Sequence, residues 1–426
     1  MITVEKALEI LFHLAKPMAT QVVPLEQAHK RILAKGVIAQ RDQPPFSSSA
    51  MDGYAISDIN AAPGTTFDVI GEAAAGHRFS GSVELGQAVR IFTGAPLPTG
   101  AKRVIIQEDV KSSANQITLN QNITKSDFIR PAGSDFSVGH TIVGNCRLKP
   151  SDIALLASMN VAEVTVFKRP VVALISTGDE LVMPGENPGL DQIIASNTFG
   201  LAALLEDHGA HIRILPIARD TLSSLKSIFE LTQGADLIVT IGGASVGDHD
   251  LVAQAAVARG FDQKFYKVAM RPGKPLMAGR FDDTPLVGLP GNPVSAMVCG
   301  HIFLVPMLHA MLGLGQAARA TLKAPLAHDI TGNGERKHYC RAVLRSDGLH
   351  VAQRQDSSLL SILANSNALV VRNLNAPPAR SGELLEYLIL RHLLMNKIKL
   401  IFKGLLQLEK WITNYTAEKG ICGDDI

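Results

Sequence analysis

The sequence predicts a multidomain α/β and β protein. A central three-layer α/β/α domain with a mostly parallel sheet would be joined by an inserted small β domain, an extended helical and strand segment, and a C-terminal β-barrel-like domain. Three textures support this. From 170 to 312, apolar runs alternate with helical stretches, as in a parallel sheet wrapped by helices. From 42 to 135, short apolar segments alternate with glycine and proline turns, which reads as a small β domain. That second texture returns from 320 to 390. The chain has 426 residues, too many for one ordinary core, so several domains are expected.

Taken in order, residues 1 to about 40 read as helical, with Pro24 breaking the pattern. Val4, Leu8, Leu11, Phe12 and Ala15 recur at helical spacing. Strands are expected at 67–70, 88–93 and 103–107. Pro150, Ser151 and Asp152 open a helix with Ile153, Leu155 and Leu156 on its apolar face. Further strands are expected at 171–175, 212–217, 237–241 and 285–289. Between them a helix at 198–208 closes at Gly209, with Ser196 or Asn197 as its cap. The expected domains are 1–41 with 136–168 (an elongated helix and strand domain), 42–135, 169–315 and 316–390. The remaining residues, 391–426, form an amphipathic tail. Leu393, Leu394, Ile398, Ile401, Phe402, Leu405, Leu408 and Ile412 recur there at steps of about three or four, with lysines between, near the single tryptophan, Trp411. Such a tail reads as a helix packed on its own chain or on a second copy, in preference to a helix lying on a membrane.

Composition excludes several function classes. Lysine plus arginine is 41 against 39 for aspartate plus glutamate, a net charge of +2, and aromatics are 5%. Neither a basic footprint nor stacking platforms for nucleic acid follow from this. Cys146, Cys299, Cys340 and Cys422 form no Cys-x-x-Cys pair, so thiols without metal or disulfide roles are expected. Glu5, Lys6 and Glu9 interrupt the apolar N-terminus, unlike a secretory leader. No membrane-spanning run is expected, and the default is a cytoplasmic enzyme.

The chemistry concentrates at the ends of the central strands. Leu289, Pro290, Gly291, Asn292 and Pro293 read as strand, tight turn and helix, with Asn292 placed to cap and Pro293 in the first turn. Such a turn points backbone N–H groups at whatever sits above the strand end, which suits an anion. Two more turns of this kind are Ser176, Thr177 and Gly178, leading into Asp179 and Glu180, and Gly242, Gly243, Ser245 and Gly247, leading into Asp248 and Asp250. On a parallel sheet, ligands bind beyond the carboxyl ends of the strands, where all three turns fall. Lys267, Arg271 and Lys274 lie between the second and third turns in sequence and would add charge-assisted contacts. Asp179, Glu180, Asp220, Asp248 and Asp250 gather at the same edge and would repel a phosphate unless a cation intervened. Magnesium resolves that conflict, because it takes oxygen ligands from carboxylates and phosphates together. Each acid alone reads as a solvated or capping residue; as a group beside glycine turns they read as functional. The turns at 49–55 and 91–96 demand no catalysis on composition alone. The residues thus describe a magnesium-assisted phosphate or oxyanion enzyme without naming its substrate.

With these segments in view, the chain resembles the molybdopterin molybdenumtransferase family, of the MoeA and gephyrin E-domain type. The resemblance rests on 49–55, 90–96, 130–135, 176–181, 242–250, 271–275 and 289–296 in family order, and runs to about residue 390. It implies the last step of molybdenum cofactor assembly: adenylated molybdopterin and molybdate bind, the phosphoanhydride is hydrolysed, AMP leaves, and molybdenum ends on the dithiolene. It also implies an elongated homodimer with a cleft shared between subunits. Molybdopterin adenylyltransferase and molybdoenzyme maturation factors would be further partners, with no nucleic acid and no membrane. By the same resemblance Asp52, Thr93, Asp135, Glu180, Asp220 and Asp250 are catalytic, and Glu180, Asp220, Asp248 and Asp250 are metal candidates. Ser176, Thr177, Gly178, Gly242, Gly243, Ser245, Gly247, Lys267, Arg271, Lys274, Pro290, Gly291, Asn292 and Pro293 would bind the pterin, phosphate or molybdate. Three features depart from the family pattern: Ser134 replaces a common glutamate, Ile241 replaces a common serine, and the tail has no counterpart. Two rival readings stand beside this one. An adenylyltransferase would be shorter and carry Gly-Gly-Thr-Gly where this chain has Gly242, Gly243, Ala244, Ser245, Val246 and Gly247. A non-catalytic gephyrin-like scaffold would have a fused second domain.

Overall fold

The structure is a computed structural model that describes residues 1–242 and 260–391. Gly243, Ser245, Gly247, Asp248 and Asp250 lie outside the described residues, as does the tail beyond Arg391. The chain divides into two compact units, one made of Met1–Ala19 and the chain from Lys168 onward, the other of Thr20–Phe167.

The first unit is built on a six-stranded sheet in the order His211–Ile214, Val171–Ser176, Leu237–Ile241, Thr284–Leu289, Met277–Phe281, Asp262–Phe265. The first four strands run parallel, Met277–Phe281 is antiparallel to both of its neighbours, and Asp262–Phe265 runs in the same direction as the first four. Every residue of Leu237–Ile241 is buried, which explains its unbroken apolar run: a parallel strand covered on both faces has no polar side to show. Register sets Ser176 opposite Ile241, and Ile241 opposite Leu289. Three neighbouring strands therefore end level, and their glycine turns leave the sheet side by side.

Helices cover the sheet. Helix Ser196–Asp207 ends at Gly209, whose φ of +95° suits glycine alone among common residues. Helix Pro293–Cys299 widens into a π-helical turn over Gly300–Leu304 and resumes as Val305–Met311. Pro306 has no N–H to give the preceding turn, which accounts for the widening there. Gly300 permits close helix packing, since a Cβ there would sit 2.7 Å from Leu201 Cδ2. The span Pro293–Met311 is 19 residues long and apolar enough to cross a membrane by length and composition, but its most apolar stretch is 83% buried inside the protein. It is the core helix of this unit, and its burial on all sides explains its composition.

Helix Val4–Leu14 is capped by Thr3, whose Oγ1 accepts from Lys6 N–H at 3.2 Å. The sequence reading grouped this helix with residues 20–41. Its buried face (Val4, Ala7, Leu8, Leu11 and Leu14) instead joins the main core with Val172, Leu289 and Met307. The same unit carries a second, curled sheet in the order Met270–Arg271, Lys337–Arg345, Ala368–Arg372, Leu384–Ile389, Leu322–Pro325, with Gly348–Val351 beside Lys337–Arg345.

In the second unit, residues 20–41 are not helical beyond the short 3-10 turn Leu25–Gln27. Thr20–Pro24 is a strand paired with Glu163–Phe167, and Ile32–Leu33 and Val37–Ile38 are short strands. Val22 and Val23 favour strands and alternate in exposure, 62% against 6%, a period of two that overrides the helical reading. The small β domain forms a six-stranded sheet in the order Arg103–Ile106, Gly53–Ile56, Gln87–Ile91, Thr66–Ala73, Gln116–Leu119, Val110–Ser113. Helix Pro150–Ser158 begins at its proline, with Asp152 Oδ2 accepting from Lys149 N–H at 2.8 Å.

Candidate active site

The three strand-end turns border one cleft of about 920 Å³. Ser176, Thr177 and Gly178 come from the first turn and Gly242 from the second. Pro290, Gly291, Asn292 and Pro293 come from the third, and Glu180 and Asp220 supply charge. The backbone is held in place by cross-strand bonds: Thr177 N–H donates to Ile241 O at 3.0 Å, and Gly242 N–H to Leu289 O at 3.1 Å. Gly242 sits at φ +95°, and a Cβ there would lie 2.6 Å from Thr177 O. Gly178, at φ +149°, leaves room for the Glu180 carboxylate, which a Cβ would strike. Gly242 is required by space as well as by conformation, because it faces backbone, whereas the Glu180 carboxylate beside Gly178 can swing aside.

The acids interact. Asp220 N–H donates to Asp179 Oδ1 at 3.1 Å, and Arg219 Nη1 donates to Asp179 O at 2.9 Å and to Leu181 O at 3.3 Å. The Asp220 carboxyl titrates above its usual range, first because of partial burial and then because of the charges of Asp179 and Glu180. A carboxylate crowded by others gains most from a cation. Its hard oxygen donors suit magnesium, which needs only one or two protein carboxylates beside substrate oxygens. Among the described residues, no cluster of at least three His, Cys, Asp or Glu side chains is arranged to hold a metal. Glu180 and Asp220 could therefore provide part of a site, and Asp248 and Asp250 lie outside the described residues.

Several cleft residues escaped the sequence reading. Ser196 and Asn197 were read as caps, but Ala195 occupies the N-cap position without a side-chain cap bond, and both residues line the cleft. Asn197 Nδ2 donates to Gly291 O at 2.7 Å, tying this helix to the third turn. Asn292 holds the N-cap position of Pro293–Cys299, yet its side chain makes no cap bond there. Ser358 reaches the cleft from beyond the α/β segment, with no local signal in the sequence.

The three cations are not among the residues lining this cleft. Arg271 lies on an edge strand beside Lys337–Arg345 and lines a different cavity of about 600 Å³ with His338 and Arg372. Its neighbour Met270 is buried in the main core, so strand alternation turns Arg271 to the other side. Lys267 Nζ lies 5.0 Å from the centroid of the Tyr266 ring, and Lys274 is exposed.

The remaining candidates belong to the second unit. Asp52 precedes strand Gly53–Ile56, and its Oδ1 accepts from Thr93 N–H at 2.7 Å and from Thr93 Oγ1 at 2.8 Å. Those two bonds hold its carboxyl below the usual range, so it stays ionised. The turn is shaped by Gly94 at φ +81°. Arg90 supports it, with its guanidinium 4.9 Å from the ring centroids of both Tyr54 and Phe92 and Nη2 donating to Gln107 Oε1 at 2.7 Å. Asp135 is exposed, and its N–H donates to Gln43 O at 2.9 Å.

Family models cover these parts in order. The MoeA N-terminal region (domain I and II) matches residues 2–160, a probable molybdopterin binding domain matches 173–310, and the MoeA C-terminal region (domain IV) matches 323–390. A molybdopterin molybdenumtransferase from Nostoc sp. is 34% identical over 380 residues, 85% of this chain and 87% of that protein. The chain belongs to the molybdopterin molybdenumtransferase family. Another relative, molybdopterin molybdenumtransferase 2 from Mycobacterium tuberculosis, is 36% identical over 334 residues, 76% of this chain and 82% of that one. The solved MoeA structure from Pyrococcus horikoshii superposes with a TM-score of 0.78 at 26% identity, covering 91% of this chain and all of that one. As a molybdopterin molybdenumtransferase family member, the chain has its three strand-end turns within the segment matched by the molybdopterin-binding model.

Proposed function

We infer that the protein carries out the last step of molybdenum cofactor biosynthesis: molybdate is inserted into adenylated molybdopterin while the phosphoanhydride is hydrolysed and AMP released. The observation that carries this is the convergence of three strand-end turns with Glu180 and Asp220 on one cleft. Backbone at the Gly242 and Pro290–Pro293 turns would seat the anionic end of the substrate, and Asn197 would keep the third turn in register through Gly291. Glu180 and Asp220, with Asp248 and Asp250, would hold magnesium, which when bound neutralises charge on the phosphoanhydride. Lys267, Arg271 and Lys274, which lie outside the lining of this cleft, would attract molybdate only at longer range. Asp52, kept ionised by Thr93, and Asp135 would act through a second copy of the chain in a homodimer, as the resemblance implies. The protein would act in the cytoplasm, taking its substrate from an adenylyltransferase and passing its product to molybdoenzyme maturation factors.

AMP release from adenylated molybdopterin with magnesium, in the presence and absence of molybdate, tests this reading. Release that requires molybdate supports it. A folded protein that binds the substrate and releases no AMP overturns it and favours the scaffold reading.

A further inference from the structure

Glu180 and Asp220 stand on different turns, and one side chain ties those turns together. Glu180 follows strand Val171–Ser176, and Asp220 follows strand His211–Ile214, its neighbour in the sheet. The two segments meet first through backbone: Ala218 N–H donates to Ser176 O at 2.9 Å, and Gly178 N–H to Ala218 O at 3.1 Å. Beyond that ladder Arg219 takes over. Its Nη1 donates to Asp179 O at 2.9 Å and to Leu181 O at 3.3 Å, while Ile193 N–H donates to Glu180 O at 2.8 Å. The carbonyls of Asp179, Glu180 and Leu181 are thus all held, two of them by one guanidinium. Arg219 is fixed in turn from the other side, because its N–H donates to Ser224 Oγ at 2.9 Å in helix Leu222–Glu230.

We propose that Arg219 is a positioning residue for the cleft: its guanidinium clamps the turn bearing Glu180 against the turn bearing Asp220, so that both carboxylates address one divalent cation. This rests on the magnesium-assisted reading of the site. A counter-ion role would put the guanidinium on carboxylates, whereas Nη1 serves backbone oxygens. Charge-assisted bonds are strong enough to orient a turn, and groups that orient metal ligands typically matter about 10–100-fold in metal affinity. The sign of the effect separates a clamp from a charge. A guanidinium beside a cation site repels the metal, so losing it as a charge would tighten metal binding. Losing it as a clamp frees Glu180 and weakens metal binding.

The test titrates the full chain with manganese, reading the free ion by electron paramagnetic resonance, and competes it with magnesium. Arg219 is exposed, so Arg219→Ala should leave the melting temperature unchanged. It should raise the manganese dissociation constant about tenfold. Arg213→Ala is the control: Arg213 Nη2 also donates to a carbonyl, Gln233 O at 3.0 Å, but Arg213 does not line the cleft. Its manganese affinity should match wild type. In AMP release, Arg219→Ala should lose rate at low magnesium and regain it at high magnesium, with KM for adenylated molybdopterin unchanged. Equal or tighter manganese binding in Arg219→Ala, an equal loss in Arg213→Ala, or no saturable manganese site in wild type would overturn the proposal. So would a raised KM with unchanged manganese affinity, which would make Arg219 a substrate contact. A wild type that binds manganese and releases no AMP would refute the proposed function alone, and the titration would still decide the clamp.

Discussion

Gly242→Ala probes the turn at the centre of the cleft. A Cβ at residue 242 would lie 2.6 Å from Thr177 O and 3.1 Å from Thr177 Oγ1, at a φ of +95°. Forcing alanine into such a backbone conformation costs about 1–3 kcal/mol. Relieving the overlap by shifting backbone adds about 1–3 kcal/mol, as overpacking generally does. The backbone has little freedom to shift, because Thr177 N–H is bonded to Ile241 O and Gly242 N–H to Leu289 O. The sum, about 2–6 kcal/mol, is a large part of the stability of an ordinary domain. At roughly 2–4 °C per kcal/mol, the α/β unit should melt about 4–24 °C lower by calorimetry. Gly234→Ala is the control: its φ is +77° and nothing lies within 4 Å of the added Cβ, so only the conformational cost applies. Equal melting shifts in the two variants, or none for Gly242→Ala, would refute the assignment of a spatially required glycine.

Asp220 titrates above its usual range, so the folded state takes up its proton more readily than the unfolded chain. Its ionisation costs stability as pH rises through that range, and Asp220→Asn should melt higher than wild type at pH 7.5 while losing AMP release roughly 100-fold. Added magnesium should raise the wild-type melting temperature and leave that of Asp220→Asn nearly unchanged. His301 is pushed down to about 3 by burial and by the charges of Arg319 and His208, and its Nδ1 lies 2.8 Å from Arg319 Nη1. A folded-state value below the unfolded one means stability present above pH 6.5 is lost as pH falls toward 3, at up to about 1.4 kcal/mol per pH unit. Urea midpoints from pH 7.5 to 4.5 should therefore fall more steeply for wild type than for His301→Gln. Thr93→Val removes the hydroxyl bond to Asp52 and keeps the backbone one, so AMP release should drop several-fold with the melting temperature unchanged.

Much of the α/β half was legible because parallel strands buried on both faces write continuous apolar runs, and Leu237–Ile241 appears in the structure with the bounds read from sequence. Parallel strands put their carboxyl ends on one edge, so the sequence alone assigns the glycine turns to that edge, and the register sets those ends level. Residues 20–41 were misread because their strands are short and one apolar side chain, Val22, faces solvent. The docking of Val4–Leu14 on the main core is a contact between segments far apart in sequence, which periodicity cannot encode. Arg271 was placed by its neighbours in sequence, whereas its position is set by pairing with Lys337–Arg345, which begins 66 residues later. Ser358 and Asn197 reach the cleft through tertiary packing and carry no motif of their own.

The claim that acids at the strand ends carry the chemistry is tested most directly by single-turnover AMP release from adenylated molybdopterin with magnesium and molybdate. Wild type, Glu180→Gln and Asp52→Asn are compared, and substrate binding is measured in parallel. The account predicts at least a 100-fold loss of rate in both variants, with substrate binding held within about threefold of wild type. Wild-type rates in Glu180→Gln, or equal release with and without molybdate, would contradict it.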